Sequence, residues 1–187
     1  MFTLEQDFEG EDFARNPLPK GEYSYCTFTR CTFSEGDLSG VVFTDCRFVG
    51  CDLSMVKLKD AVFRETRFTD CKLMGVHFFL CKSLLLSFRF EQCLMDYAAF
   101  MQLRMEGTVF RGCRLRGADF SETDLQGAQF SDCDLGGAIF ERSNLEQTDF
   151  SAATGVVLDP EQNRMRGAIF STENLSGLLQ KHQLVIV

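Results

Sequence analysis

Residues 113 to 150 read CRLRGADFSETDLQGAQFSDCDLGGAIFERSNLEQTDF, with Leu or Phe at every fifth position: Leu115, Phe120, Leu125, Phe130, Leu135, Phe140, Leu145 and Phe150. Two places before each stands a small residue: Cys113, Ala118, Thr123, Ala128, Cys133, Ala138, Ser143 and Thr148. The positions between are mostly Asp, Asn, Glu, Gln, Arg, Ser or Gly. A period of five matches neither the 3.6 of a helix nor the 2 of a strand. It matches a chain that turns a corner every five residues and points one large and one small side chain inward per side. Four such sides close a square coil, and stacked coils make a β-solenoid.

The beat extends in both directions. Phe28, Phe33, Leu38, Phe43, Phe48, Leu53, Leu58, Phe63, Phe68, Leu73 and Phe78 hold it upstream. The next site is Ser83, and then the frame moves by two, with Phe90, Met95, Phe100, Met105 and Phe110 on the new phase. If one corner within Lys82 to Ser87 absorbs the extra pair, Phe8, Phe28, Phe48, Phe68, Phe90, Phe110, Phe130 and Phe150 form an unbroken column. The expectation is one continuous rod of about seven coils, roughly 34 Å long at the spacing of paired strands. Residues 1–22 keep the phase, but Gln6, Glu11 and Asn16 occupy small inward sites, so a frayed capping coil is expected there. Residues 23–150 are the regular helix, and 151–164 a loop or irregular last coil with Pro160 as breaker. In STENLSGLLQKHQ, Leu175, Leu178, Leu179 and His182 share one face of a short helix that Ser171 or Thr172 can cap. Leu184 to Val187 reads as a terminal strand, and together these would cover the open end of the stack.

The pattern A(D/N)Lxx, carried here by Ala118-Asp119-Phe120, Thr123-Asp124-Leu125 and Cys133-Asp134-Leu135, resembles the signature of the pentapeptide-repeat family. The resemblance covers nearly the whole chain and implies an all-β, right-handed quadrilateral β-helix. The tail pattern GAxFS…LxxLL…LxIx is similar to that ending the quinolone-resistance (Qnr-type), microcin-immunity and albicidin-immunity proteins of this family. In several of these the C-terminal module joins two rods end to end. That resemblance implies a homodimer here, through Phe170, Leu175, Leu178, Leu179, Leu184 and Ile186. It also implies a partner, DNA gyrase or topoisomerase IV, which such rods engage by looking like DNA, giving resistance or immunity to gyrase poisons. The chain departs from the Qnr type in having no long loop projecting from mid-rod, only the two-residue bulge.

Composition narrows the function. A net charge of −8 argues against binding nucleic acid directly through its phosphates. No apolar run reaches the roughly 20 residues of a membrane span, and the acidic start MFTLEQDFEG lacks the apolar core of a signal peptide. All nine Cys fall on the small inward site, and Cys31, Cys51, Cys71, Cys93, Cys113 and Cys133 align in one column. They read as buried, reduced thiols, which implies the cytoplasm. With no CxxC and two isolated histidines, His77 and His182, no metal or cofactor is expected. No GxSxG, P-loop, HExxH or GxGxxG is present, so the chain is read as non-enzymatic, its function lying on the outer faces.

Two features of those faces are candidates. Acidic residues cluster near the ends, with Glu5, Asp7, Glu9, Glu11 and Asp12 at one and Asp119, Glu122, Asp124, Asp132 and Asp134 towards the other, a field that could mimic a duplex. Apolar residues occupy outward sites around the bulge: Met74, Phe79, Leu80, Leu84, Leu85, Leu86, Leu94, Tyr97 and Met101. An exposed apolar patch marks an interaction surface, and a general protein-binding scaffold is the alternative to a gyrase-directed mimic. The middle also carries Arg64, Arg67, Lys72, Lys82, Arg89, Arg104, Arg111, Arg114 and Arg116, so the charge is not uniformly negative.

Overall fold

A corner every five residues requires a backbone that reverses cheaply, and the chain supplies it with the left-handed conformation. Residues two places after an inward Leu or Phe repeatedly adopt positive φ: Arg30 (51°), Glu35 (57°), Asp70 (54°), Glu122 (57°) and Gly117 (64°) among them. Gly and polar residues tolerate that region best, which explains the composition of the corner site.

The computed structural model, which describes residues 1–83 and 86–184, is a parallel β-solenoid. Its strands are β1 (Phe2–Leu4), β2 (Asp7–Glu9), β3 (Glu22–Ser24), β4 (Thr27–Thr29), β5 (Val42–Thr44), β6 (Arg47–Val49), β7 (Val62–Arg64), β8 (Thr66–Thr69), β9 (Phe88–Glu91), β10 (Val109–Arg111) and β11 (Gln129–Ser131). One face stacks β1-β3-β5-β7 and the adjacent face β2-β4-β6-β8-β9-β10-β11. Seven strands in that second sheet span six full turns. The other two faces are held by single bridges in the same parallel register, such as Asp52↔Lys72↔Leu94↔Arg114↔Asp134.

Partners lie 20 residues apart on either side of the bulge, as in Phe28↔Phe48 and Phe110↔Phe130, and 22 apart across it, as in Phe68↔Phe90 and His77↔Ala99. The ladder therefore closes over the insertion. The chain leaves it at Lys82, whose N–H donates to Ala61 O at 2.9 Å, and rejoins at Ser87, whose N–H donates to Phe63 O at 3.1 Å. Leu84 and Leu85 lie outside the described residues. Ser83, the expected inward site, is exposed. Phe88 takes over its role: it pairs with the small-site Thr66, is buried, and its ring lies 5.5 Å from Phe63, continuing the column Tyr23, Phe43, Phe63. The two extra residues thus let a large side chain enter from a small site.

The core is a set of like-on-like columns. The Phe rings from Phe8 through Phe170 stack at 4.8 to 5.3 Å with interplanar angles of 2° to 19°. Rings of adjacent columns meet edge to face, as Phe110 meets Phe120 at 86°. Such pairs add about 0.5–1.5 kcal/mol each beyond the burial of their area. In the first coil β1 and β2 pair in register with β3 and β4, while the side chains at the small sites Gln6, Glu11 and Asn16 open to solvent. At the other end the coil after Phe150 stays in register through Asp134↔Thr154, Asn144↔Arg164 and Asp149↔Ile169.

All nine cysteines are free and buried. Their thiols sit where a hydroxyl does equally well. Cys51 Sγ donates to Phe28 O at 3.2 Å, and Thr123 Oγ1 and Ser143 Oγ donate to the matching carbonyls of Phe100 and Phe120 at 2.9 and 2.7 Å. Burial pushes the Cys46 thiol up to about 11 and the Cys81 thiol up to about 12. A thiol with a raised folded-state pKa contributes stability that is complete below its unfolded value and is lost as pH rises through the folded one. The unfolding free energy is therefore expected to hold steady around neutral pH and to decline from the ordinary thiol range towards pH 11–12, less steeply in a Cys46→Ala, Cys81→Ala double variant. Denaturant titration across pH checks this, alongside a thiol-specific reagent at neutral pH. Rapid labelling of the native protein would contradict the buried column.

Candidate functional site: the outer faces of the rod

With large side chains filling the axis, chemistry is left to outward positions. Among the described residues no group of three His, Cys, Asp or Glu side chains converges as a metal site would require. No helix among them is long and apolar enough to cross a membrane.

The apolar candidates near the bulge divide by exposure. Met74, Phe79, Leu86, Leu94 and Met101 are half-buried against neighbouring rungs, with Leu86 packed on the core. Leu80 and Tyr97 are exposed, Tyr97 at 72%. Met55, which the periodicity did not single out, is exposed at 57%. Met55 and Tyr97 are corner residues at φ of 56° and 59°, a strained backbone for large side chains. Each lies over a glycine of the following coil: a Cβ on Gly75 would meet the Met55 sulfur at 2.3 Å, and one on Gly117 would meet the Tyr97 ring at 2.7 Å. At these two corners the bulk is accommodated by a bare corner on the next coil, whereas Tyr25, also exposed at a left-handed corner, is followed by Asp45. Beside Met55 runs a groove of about 280 Å³, lined by Val56, Leu58, Leu80 and His77 with Lys57 and Lys59 at its rim. Leu80 and Met55 therefore belong to one concave apolar surface, and Tyr97 stands further along the same corner.

The acidic candidates do not form a row. Asp119, Asp124 and Asp134 sit in three different columns, beside Ala99 and Ile139, Arg104 and Asn144, and Arg114 and Thr154 respectively. Most of their oxygens are engaged. Asp119 accepts from the Ser121 N–H at 2.8 Å, Asp124 from the Gln126 N–H at 3.2 Å and from Asn144 Nδ2 at 2.8 Å, and Asp134 from the Gly136 N–H at 3.0 Å. This is the Asx-turn bond, and it explains why the repeat prefers Asp or Asn before the large inward residue. Arg116 and Arg142 pair with Asp134 and Glu122 from adjacent coils, at 2.7 and 2.8 Å. Against partial burial, the Gly136 N–H and the Arg116 guanidinium hold the Asp134 carboxyl below its usual range; Arg142, with Gln102, does the same for Glu122. Asp132 is exposed at a corner.

The C-terminal cap departs from the expected amphipathic helix. Residues Thr172–Asn174 form one 3-10 turn, α1 spans only Leu175–Leu178, and Gln180–His182 form another 3-10 turn. Ser171 stands at the cap position without a side-chain bond. The anchor is Asn174, buried, whose Nδ2 donates at 3.1 Å to both Phe150 O and Ala153 O. It takes the place of the ladder N–H that Ala153 O would otherwise meet one coil on, and gives Phe150 O a second donor beside the Ala153 N–H. Leu178 packs on the core, Phe170 is half-buried on Phe150, and Lys181 pairs with Asp159 and Glu161. Leu175, Leu179, Leu184 and His182 are exposed, as is Ile169. Ile186 and the expected terminal strand beyond Leu184 lie outside the described residues.

The family described as "Pentapeptide repeat region" matches residues 22–98 and again 83–159, and the chain belongs to it. Among solved structures the fold is shared with QnrB1, described as a plasmid-mediated fluoroquinolone resistance protein. A trypsin-treated form matches with TM-score 0.64 and 20% identity over 100% of both chains. The full-length form matches with TM-score 0.53 and 21% identity over 98% of this chain and 100% of that one. No curated protein sequence matches the chain.

Gly177 shows how the cap is seated. A Cβ there would lie 1.9 Å from the Val156 carbonyl oxygen, so α1 touches the rod backbone to backbone. Gly177→Ala is expected to cost about 1–3 kcal/mol of cap stability and to leave the central coils intact. Hydrogen exchange checks this: faster exchange confined to residues after about Val156 is the expected result.

Proposed function

We propose that the chain is a non-catalytic rod that binds another protein through its exterior, using the corner surface formed by Met55, Leu80 and the groove between them, with Tyr97 further along. The observation that carries this reading is that two large side chains, Met55 and Tyr97, stand at left-handed positions of one corner column, exposed to water; a third such residue, Tyr25, lies on a different corner, and most other corners carry Gly or polar residues. Neither burial nor turn geometry accounts for them, and strained, exposed apolar groups concentrate at binding sites. Free buried thiols fit a reducing compartment such as the cytoplasm.

The partner that the resemblance to quinolone-resistance and immunity proteins implies is DNA gyrase or topoisomerase IV. The fold shared with QnrB1 supports testing it first. The acidic surface supports it less, because Asp119, Asp124, Asp134 and Glu122 are engaged by turns and arginines rather than aligned as a duplex-like row. Homodimerisation through the exposed Ile169, Leu175, Leu179 and Leu184 belongs to the same reading, since apolar residues at the end of a rod fit a second rod end.

A gyrase supercoiling assay with a fluoroquinolone tests the partner. Protection or inhibition at micromolar protein, lost in a Leu80→Asp, Tyr97→Asp variant that remains folded, is the expected outcome. If the wild-type protein leaves supercoiling and its poisoning untouched, gyrase is excluded. If gyrase responds equally to both proteins, the corner surface is excluded.

A further inference from the structure

One column of the rod stacks three cations on successive rungs. Elsewhere, side chains on neighbouring coils pair with opposite sign: Arg30 with Glu9, Lys72 with Asp52, Arg116 with Asp134, Arg142 with Glu122, Arg164 with Glu146. On the β6-β8-β9 face, Arg47 is directly paired with Arg67, and Arg67 with Arg89. All three are exposed, and none joins an ion pair among the described residues. Like charges directly opposite on adjacent strands are destabilising, and three stand here at a spacing of about 4.8 Å. The surroundings reinforce the field. Residues 47 to 89 hold eight basic and four acidic residues, a band of +4, whereas the rest of the chain carries −12.

The column is also concave. A groove of about 230 Å³ is lined by Arg47, Val49, Arg67, Thr69, Arg89 and Glu91. A second of about 130 Å³ lies on the other flank, sharing Arg67 and Arg89 and bounded by Glu65, Thr66 and Ser87 where the chain returns from the bulge.

We propose that Arg47, Arg67 and Arg89 form a binding site for a linear oligophosphate, either free or as the phosphate tail of a nucleotide. Guanidinium groups bind phosphate oxygens in pairs of parallel hydrogen bonds, and Arg rather than Lys at all three rungs matches that geometry. A single phosphate spans one or two rungs; a chain of three or more reaches all three and neutralises the repulsion between them. The grooves are of small-ligand size. Recognition of single-stranded nucleic acid uses aromatic platforms beside a basic track, and the outward neighbours of this column are Val49, Thr69 and Glu91. Glu91 and Glu65 face the two grooves and oppose any anion there, so they limit affinity. The site is independent of which protein the apolar corner engages.

Inorganic tripolyphosphate is the probe, with binding read by calorimetry and by the shift in thermal midpoint at low salt. The expected results are a rise in the wild-type midpoint and weakening by at least about tenfold in Arg67→Gln. Glu91→Gln is expected to bind more tightly, and orthophosphate more weakly than tripolyphosphate. Arg67→Gln without ligand is expected to melt no lower than wild type, since it relieves like-charge repulsion; this separates loss of binding from loss of fold. ATP binding as tightly as tripolyphosphate identifies a nucleotide tail, and ATP binding more weakly identifies free oligophosphate. No midpoint shift in the wild type, equal binding by Arg67→Gln, or tighter binding of a single-stranded oligonucleotide than of tripolyphosphate would overturn the proposal.

Discussion

Each inward side chain in this rod rests on its counterpart one coil away, and nearly every other feature answers to that contact. A parallel ladder puts equivalent residues in direct register, so the interior is a set of columns rather than a mosaic. Flat rings suit a column because they stack face to face at close to the strand spacing, as Phe110 does on Phe90 and Phe130 at 5.2 and 4.8 Å. The small sites follow the same logic in another chemistry: Cys, Ala, Ser and Thr fit there, and several of those with a donor, such as Cys51, Thr123 and Ser143, point it at a carbonyl of the preceding coil. The bulge is tolerated because it disturbs only the Tyr23-Phe43-Phe63 column, where Phe88 fills the site that Ser83 leaves. Two additional residues change the register from 20 to 22, yet Phe90 still lies 5.3 Å from Phe68.

Because the interior is committed, variation is confined to the surface, and the surface is ordered by the same stacking. An outward residue meets its own counterparts on adjacent coils, so charges form columns too. In several places opposite signs meet across neighbouring coils, as at Lys72 and Asp52 or Arg142 and Glu122. The Arg47-Arg67-Arg89 column does not alternate, and the corner column holding Met55 and Tyr97 places bulk where the backbone tolerates it least. Both anomalies lie near the bulge, in the basic middle of an otherwise acidic rod.

The repeat made the coil, its columns and the phase shift legible, because period and inward size are local properties of the chain. What escaped depends on contacts between coils. Phe88 keeps the large-residue phase of the first frame but falls on the small site of the second, two places before Phe90, and only the geometry of the returning chain shows it filling the site that Ser83 vacates. The Asx-turn bonds of Asp119, Asp124 and Asp134 escape a count of carboxylates, which registers only their charge. The tail carried a helical pattern in Leu175, Leu178 and Leu179, but the need to satisfy the Phe150 and Ala153 carbonyls placed Asn174 inward and left two of those leucines in water. Met55 could have been noticed beside Tyr97, since a large residue at the corner position departs from the repeat.

The most direct test of like-on-like packing is denaturant unfolding of Phe110→Ala, which removes one fully buried ring from the middle of its column. A loss of about 3–5 kcal/mol is expected, as for other buried Phe truncations. A loss below about 1 kcal/mol, the range of an ordinary surface substitution, would mean that the aromatic columns do not hold the coils together.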